Sequence, residues 1–243
     1  VMRLVGSEMC IRDRSKAKDE GFTLPEFDKF WKNGFQEVLS PKKQTILLED
    51  FRKDPQKNPI STPSGKIEIF SETVYNFNYQ DCPGHPTWLE QEEWLGSNLT
   101  KQYPLQLISG QPHNRLHSQL DNGSESQNYK ILGREPIKIH PQDAQSRGLI
   151  NGDIVEVFNK RGKCLAGVII SNEVMKGVVF LPVGAWYDPV NDGDFCIHGN
   201  PNVLTEDIGT SSLAQGPSAH STLVEIKKYN NCLLYTSPSP RDA

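Results

Sequence analysis

Apolar and polar residues alternate along several short stretches in the second half of the chain, which is the pattern of half-buried β-strands. Ile137 and Ile139 lie on one face of such a stretch, and residues 151–159 alternate in the same way after an Asn-Gly turn. The KRGK sequence that follows predicts a tight hairpin in which Gly162 takes a positive φ angle. Further strands are predicted over residues 104–109, 164–171 and 178–184. Closely spaced short strands of this kind predict a small closed barrel.

The first half of the chain has a different pattern. Phe27, Phe30 and Trp31 lie at helical intervals, which predicts a helix within residues 24–35 that ends near Asn-Gly. Isoleucines alternate with charges over residues 66–72, which predicts one strand. A single short helix is also predicted within 140–149, where a proline takes the first helical position and a glycine follows the last turn.

The two ends of the chain are predicted to have a separate origin. DNA strings that encode residues 4–14 and 232–242 can be written as reverse complements of each other over nearly their whole length. Two unrelated peptide tails do not share this property, and the strings resemble a transposase sequencing adapter read on both strands. We therefore expect residues 1–14 and 231–243 to be adapter-derived, and the native sequence to be clipped at both ends.

Composition and charge exclude some classes of function. Of the 243 residues, 36% are hydrophobic and 23% charged, which is enough apolar material for an ordinary core. The net charge of −4 argues against a nucleic-acid partner, because phosphate neutralisation needs a basic face. No apolar run approaches the roughly 20 residues of a membrane span, so we expect no span in this chain.

Cysteine and histidine spacings predict no metal site. Cys82, Cys164 and Cys196 are widely separated and form no CxxC motif, so we expect buried thiols. His113 and His117 are four residues apart, but the proline before them makes a helical metal pair doubtful. No serine has the GxSxG setting of a nucleophile.

Two polar loops interrupt the β pattern and carry the candidate chemistry. The first loop, residues 109–123, and the second loop, residues 199–221, are rich in Gly, Asn, Gln and Ser. We expect Leu204, Ile208 and Leu213 to pin the second loop to the barrel, while amides and hydroxyls face a large polar ligand. Arg115 could then add a forked contact to a phosphate. Two ordered surface loops are the alternative interpretation.

A third segment after a predicted strand, GAWYDP, is open to two interpretations. Trp186, Tyr187 and Asp188 either line a ligand entrance or belong to a packed aromatic corner, and we favour the corner.

Several long motifs together resemble one family. The runs RLHSQLDNG, IKIHPQDAQSRGLINGDIVEVFNKRG and GNPNVLTEDIGTSSLAQG are similar to the C-terminal region of molybdopterin-containing S- and N-oxide reductases. This group reduces dimethyl sulfoxide, trimethylamine N-oxide and biotin sulfoxide. TPSGKIEIFSE and DCPGHPTWLE resemble the same group, with the biotin sulfoxide reductase branch closest. Formate dehydrogenase or nitrate reductase types, and a non-catalytic barrel that binds a nucleotide-like ligand, are the alternatives.

The resemblance implies a fold and a division of the chain. The fold is mainly β with some α, built on a six-stranded double-psi β-barrel that binds the molybdopterin dinucleotide. Residues 104–230 correspond to this barrel domain, and residues 15–103 to the end of the preceding reductase domain and a linker.

The resemblance also implies a cofactor, molybdenum bis(molybdopterin guanine dinucleotide), and oxygen-atom transfer from an S-oxide or N-oxide with electrons from a separate donor. The cofactor-binding residues by motif match are Gln111, Arg115, His117, Ser118, Gln119, Asn202 and Gln215. Family members commonly carry His where this chain has Gln111. The metal's serine ligand belongs to an earlier region of such proteins, so no catalytic or metal-binding residue is assigned here, and we expect this fragment alone to be inactive.

Overall fold

The computed structural model describes residues 14–37, 45–190 and 195–231. The predicted adapter-derived tails therefore lie almost entirely outside the described residues. By its internal contacts the chain divides into two compact units, Val1–Glu68 and Ile69–Ala243. No helix among the described residues is both long enough and apolar enough to cross a membrane.

The first unit is helical and irregular. Residues 14–19 are helical, and two short helices follow, α1 (Phe27–Asn33) and α2 (Glu49–Lys53). The predicted helix is thus confirmed: Gly34 ends α1 with φ 79°, and its N–H donates to the carbonyl of Phe30. Such a left-handed terminal residue satisfies a carbonyl that the last helical turn leaves open.

The strand predicted over residues 66–72 does not form, so this prediction is wrong. Ile67 and Ile69 are 68% and 80% exposed, and no ladder pairs with this stretch among the described residues. Alternation makes a strand only where a neighbouring strand supplies hydrogen bonds and an apolar face to cover.

The second unit contains the barrel. Its strands are β1 (Leu105–Ile108), β2 (Pro136–Ile139), β3 (Ile154–Phe158), β4 (Lys163–Ile170), β5 (Val178–Phe180), β6 (Pro189–Val190), β7 (Phe195–Cys196) and β8 (Leu223–Lys228). Three short helices lie between them or before them, α3 (Glu72–Tyr75), α4 (Ser124–Tyr129) and α5 (Pro141–Gln145). Two 3-10 turns, Asn98–Lys101 and Pro201–Val203, complete the elements of the described residues.

Six of these strands form a closed ring. They pair in the order β2-β5-β1-β8-β3-β4, and β4 pairs back with β2. The β1–β5 and β2–β4 pairs are parallel, and the other four pairs are antiparallel. Closure leaves none of the six with a free edge. The predicted fold, mainly β with a closed six-stranded barrel, is confirmed.

Side chains from all six strands fill the barrel. Leu105 and Leu107 on β1 and Ile137 and Ile139 on β2 are at most 1% exposed, and the residues between them are only half-buried. This alternation matches the period of two that the sequence showed. The short helix α5 also forms as predicted, with Pro141 at its first position and the His140 ring accepting from the Gln142 N–H.

The hairpin between β3 and β4 forms, but Gly162 does not take the predicted positive φ. The turn is instead closed by the Asn159 side chain, whose Oδ1 accepts from the Arg161 N–H at 2.9 Å. A four-residue turn with such a side-chain cap does not need a left-handed residue.

Gly167 on β4 provides a test of the packing. A Cβ at this position would lie 2.3 Å from the Ile131 Cβ. Because the Cβ is attached directly to the backbone, Ile131 could not avoid this clash by a change of rotamer. We expect Gly167→Ala to lower the free energy of unfolding by about 1–3 kcal/mol, measured by urea unfolding of the 243-residue chain. Gly216→Ala is the control, because its Cβ would have only an ordinary contact, at 3.5 Å. Equal stability of the two variants would contradict the packing.

Candidate functional site

The two polar loops leave the barrel at the same end. The first loop follows β1 and the second precedes β8, and these strands pair antiparallel with Gln106 opposite Leu223. At this end the Ser109 N–H donates to the His220 Nδ1 at 3.2 Å, and the Gln106 side chain donates to the Thr222 carbonyl at 3.1 Å. The two loops are therefore neighbours at their roots, as the predicted ligand cradle requires.

The second loop brings Asn202 and Gln215 together. Both line a cavity of about 690 Å³, and Glu206 and Asp207 lie in the same wall. The loop is shaped by its own hydrogen bonds, including one of 2.8 Å from the Gln215 side chain to the Ser211 carbonyl. The cavity thus has amide and carboxylate groups on its surface, which suits a ligand with several N–H and C=O edges.

The aliphatic residues of the second loop only partly fulfil their predicted role. Leu204 is fully buried against the barrel core, as expected. Ile208 and Leu213 are 53% and 48% exposed, so the prediction that they pin the loop to the barrel is wrong. Polar contacts hold the tip instead, because the Ser212 N–H donates to the Asp81 Oδ2 at 2.7 Å.

The predicted residues of the first loop divide into one buried residue and four exposed ones. Gln111, His117, Ser118 and Gln119 are exposed, while Arg115 is 7% exposed. The Gln111 side chain donates to the Arg115 carbonyl at 2.6 Å. His117 has φ 50°, a backbone conformation that residues other than glycine rarely adopt, and the chain turns sharply here.

A buried ion cluster anchors the first loop to the barrel. Its members are Arg115, Asp121, Lys130 and Glu135, whose side chains are at most 3% exposed. Arg115 Nη2 lies 3.0 Å from Glu135 Oε1, and Lys130 Nζ lies 2.8 Å from Asp121 Oδ1 and 3.2 Å from Glu135 Oε2. Burial alone would raise the pKa of Asp121, but the bonds from Lys130 and from the Trp186 N–H outweigh it and lower that pKa.

The ion cluster also binds the GAWYDP segment, for which the sequence favoured a packed aromatic corner. Trp186 donates its backbone N–H to Asp121 Oδ2 at 3.0 Å and its indole N–H to the Ser118 carbonyl at 2.8 Å. Gly184 is required here, since a Cβ would lie 1.8 Å from the His117 carbonyl oxygen. A glycine two residues before an aromatic pair was the available signal for this close approach.

A second cavity lies beside the first loop. It has a volume of about 770 Å³, and Gln111 and Asn114 line it together with mainly apolar residues of β2, β4 and β5. Ser109 Oγ and Asn114 Nδ2 are buried without a hydrogen-bond partner among the described residues. Such groups cost free energy unless a ligand or water satisfies them. The two loops thus line two different cavities.

The three cysteines among the described residues are buried or half-buried thiols. Cys164 and Cys196 are fully buried, as predicted, and burial raises the pKa of the Cys164 thiol well above its usual value. Cys82 is half-buried. Over residues 14–37, 45–190 and 195–231, no three His, Cys, Asp or Glu side chains are grouped to hold a metal ion.

Burial of Arg115 leads to a first prediction for this site. We expect Arg115→Ala to lower the free energy of unfolding by about 3–5 kcal/mol, because Asp121 and Glu135 would keep only Lys130 as a cationic partner. The sequence had instead suggested that Arg115 contacts a phosphate of the ligand. Asn202→Ala, at an exposed position, should change stability by at most about 0.5 kcal/mol. Urea unfolding of both variants checks the difference, and equal losses would contradict the buried pairing.

His198 leads to a second prediction, on pH. Burial lowers the pKa of His198 to about 4, and the neighbouring positive charges of Lys130 and Arg115 act in the same direction. The negative charges of Asp121 and Asp188 raise this pKa but do not outweigh the lowering. The unfolded chain binds this proton near pH 6.5, so stability is lost as pH falls from about 6.5 to about 4.

In urea unfolding between pH 7 and pH 4.5, His198→Asn should flatten this loss. His113→Asn, at an exposed position, should keep the wild-type slope. If the stability of His198→Asn falls with pH as steeply as that of the wild type, other groups cause the loss of stability.

Comparison with known proteins identifies the domain. Residues 105–223 match the family model described as "Molydopterin dinucleotide binding domain". Trimethylamine-N-oxide reductase 1 of Escherichia coli K12 is 49% identical over 220 residues, which are 88% of this chain and 26% of that protein. The dimethyl sulfoxide/trimethylamine N-oxide reductase of Rhodobacter capsulatus is 43% identical, again over 88% of this chain and 26% of the relative.

Among solved structures, acetylene hydratase from Pelobacter acetylenicus superposes with a TM-score of 0.58 at 21% identity, over 72% of this chain and 25% of that one, which supports the fold alone. The chain spans about a quarter of the length of the curated relatives it matches. Residues 105–223 carry a molybdopterin dinucleotide-binding domain, and most of the chain is similar to part of the trimethylamine-N-oxide reductases.

Proposed function

We propose that this chain is the cofactor-binding part of a molybdenum oxidoreductase that reduces S-oxides or N-oxides by oxygen-atom transfer. The observation that carries the proposal is the common origin of the two polar loops at one end of a closed barrel, joined there by the Ser109–His220 hydrogen bond. The names and identities of the relatives support the substrate class. The electron donor is a separate partner, and the metal's own ligand comes from another part of the whole protein.

The cofactor that we propose is molybdenum bis(molybdopterin guanine dinucleotide), and the residues present fit such a ligand. Pterin and guanine rings both present N–H donors and carbonyl acceptors along their edges. Asn202 and Gln215 offer amides to these edges, and Glu206 and Asp207 offer acceptors for N–H groups in the same cavity. Asn114 Nδ2 in the first loop has no hydrogen-bond partner among the described residues, and it is a donor that such a ligand would satisfy.

The side chains of the first loop take two roles in this proposal. Gln111, His117, Ser118 and Gln119 are exposed and are proposed to contact one pterin dinucleotide. Arg115 pairs with buried carboxylates, so its proposed contribution is to fix the backbone that presents the other four. The cofactor, once bound, supplies the oxygen-atom and electron transfer, while this chain supplies position, hydrogen bonds and exclusion of water.

We retain the domain boundary near residue 104 as part of the proposal. The family match begins at Leu105, which is also the first residue of β1. Residues 15–103 would then belong to the end of the preceding domain and its connection to the barrel.

The cofactor assignment is tested in the full-length protein. We expect Asn202→Ala and Gln215→Ala each to lower the bound molybdenum and pterin by about 2- to 10-fold when cofactor is limiting, since each lost hydrogen bond contributes about 0.5–1.5 kcal/mol. Metal analysis and fluorescence of the released pterin measure both. Asn172→Ala is the matched control, because it follows β4 at the opposite end of the barrel. Wild-type cofactor content in both loop variants would refute the assignment.

A further inference from the structure

Residues 205–222, which include most of the second loop, are tied at both ends to the same hairpin. The loop leaves the core at Leu204 and returns to it at Leu223, and both residues are fully buried. The carbonyl of Leu204 accepts from Arg161 Nε at 2.7 Å and from Asn159 Nδ2 at 2.8 Å. Asn159 Nδ2 also lies 3.2 Å from the carbonyl of Leu223. The β3–β4 turn therefore fixes the separation of the two points between which residues 205–222 are suspended.

Glu93 completes this arrangement from outside the barrel. Its Oε1 and Oε2 accept from the two terminal nitrogens of Arg161 at 2.6 and 2.8 Å, and its Oε2 also accepts from the Leu223 N–H at 2.9 Å. A forked pair of this kind fixes direction as well as distance. Glu93 is 5% exposed and the Arg161 side chain 18%, so water competes little with these bonds.

The loop between these points has few other anchors. Most of residues 205–221 are exposed, and the hydrogen bonds of the loop are largely internal, such as the 2.8 Å bond from the Thr210 N–H to the Gly216 carbonyl. Outside the loop, Asp81 holds the Ser212 N–H at the tip, and the Ser109 N–H donates to His220 near the end. Asp81 and Glu93 belong to the same irregular segment, which therefore contacts the loop at its tip and at its end.

We propose that Glu93, Asn159 and Arg161, the clamp, are positioning residues that preorganise the second loop for its ligand. An exposed loop of this length loses much conformational entropy when it orders around a ligand, and a loop already fixed at both ends loses less. The clamp thus holds Asn202 and Gln215 on one cavity wall before the ligand arrives. This inference rests on the proposed function only for the identity of that ligand.

Hydrogen exchange of the 243-residue chain tests the clamp without any cofactor. We expect Arg161→Gln and Glu93→Gln to raise amide exchange in peptides covering residues 205–222 by about tenfold, with exchange in β3 and β4 unchanged. Arg147→Gln is the matched control: its Nε lies 2.7 Å from Glu225 Oε1 and its side chain is 16% exposed, but it contacts neither end of the loop.

A milder variant keeps the test valid if the Gln variants fail to fold. Arg161→Lys retains the charge, but a single ammonium cannot reproduce both the fork to Glu93 and the bond to the Leu204 carbonyl, so loop exchange should rise by a smaller factor. Loop exchange that stays at the wild-type level in all clamp variants, or that rises equally in Arg147→Gln, overturns the clamp.

The full-length protein separates the clamp from the proposed function. Faster loop exchange together with a several-fold loss of bound molybdenum and pterin in Arg161→Lys supports both. Faster loop exchange with unchanged cofactor content supports the clamp and refutes the assignment of this loop to the cofactor. Unchanged loop exchange refutes the clamp whatever the cofactor content.

Discussion

The antiparallel pairing of β1 with β8 is the constraint on which the candidate site depends. These strands are far apart in sequence, yet Leu105 lies opposite Val224 and Gln106 opposite Leu223. Because antiparallel neighbours begin and end at opposite points, the loop after β1 and the loop before β8 must emerge at the same end. The β3–β4 hairpin and the segment after β5 reach that end by the same logic, since β3 is antiparallel to β8 and β5 is parallel to β1. One barrel end thus collects four connections.

Charge, more than apolar burial, fixes the loops at this end. The first loop rests on Arg115, Asp121, Lys130 and Glu135, and the second on Glu93 and Arg161. Buried ions are expensive to desolvate and are retained only when each finds good partners, but their geometry is more specific than that of apolar contacts. We take this specificity as the reason for their use here: polar loops contain too few aliphatic side chains to be held by a core, as the exposure of Ile208 and Leu213 demonstrates.

The sequence predicted local features well and contacts between distant residues poorly. Ile137 and Ile139 have the same alternating pattern as Ile67 and Ile69, but only the former pair form part of a strand, because β4 and β5 flank them. The alternating pattern indicates that a stretch can form a strand, but it does not indicate which other strand will pair with it. Likewise, Arg115 in a Gly- and Asn-rich loop looked like a phosphate ligand, since its partner Glu135 lies 20 residues further along the chain. The family resemblance, carried by long motifs, succeeded where the spacing of single residues did not.

This contrast gives a physical criterion for sorting the predicted site residues. A polar side chain whose partners are all internal and buried contributes to the scaffold, because releasing it towards a ligand would leave opposite charges unpaired in the interior. Arg115 satisfies this description, and so does Arg161, which the sequence did not single out. An exposed amide on a cavity wall, such as Asn202, loses only water when it binds. Residues of the first kind should therefore govern whether the loops are ordered, and residues of the second kind which ligand they accept.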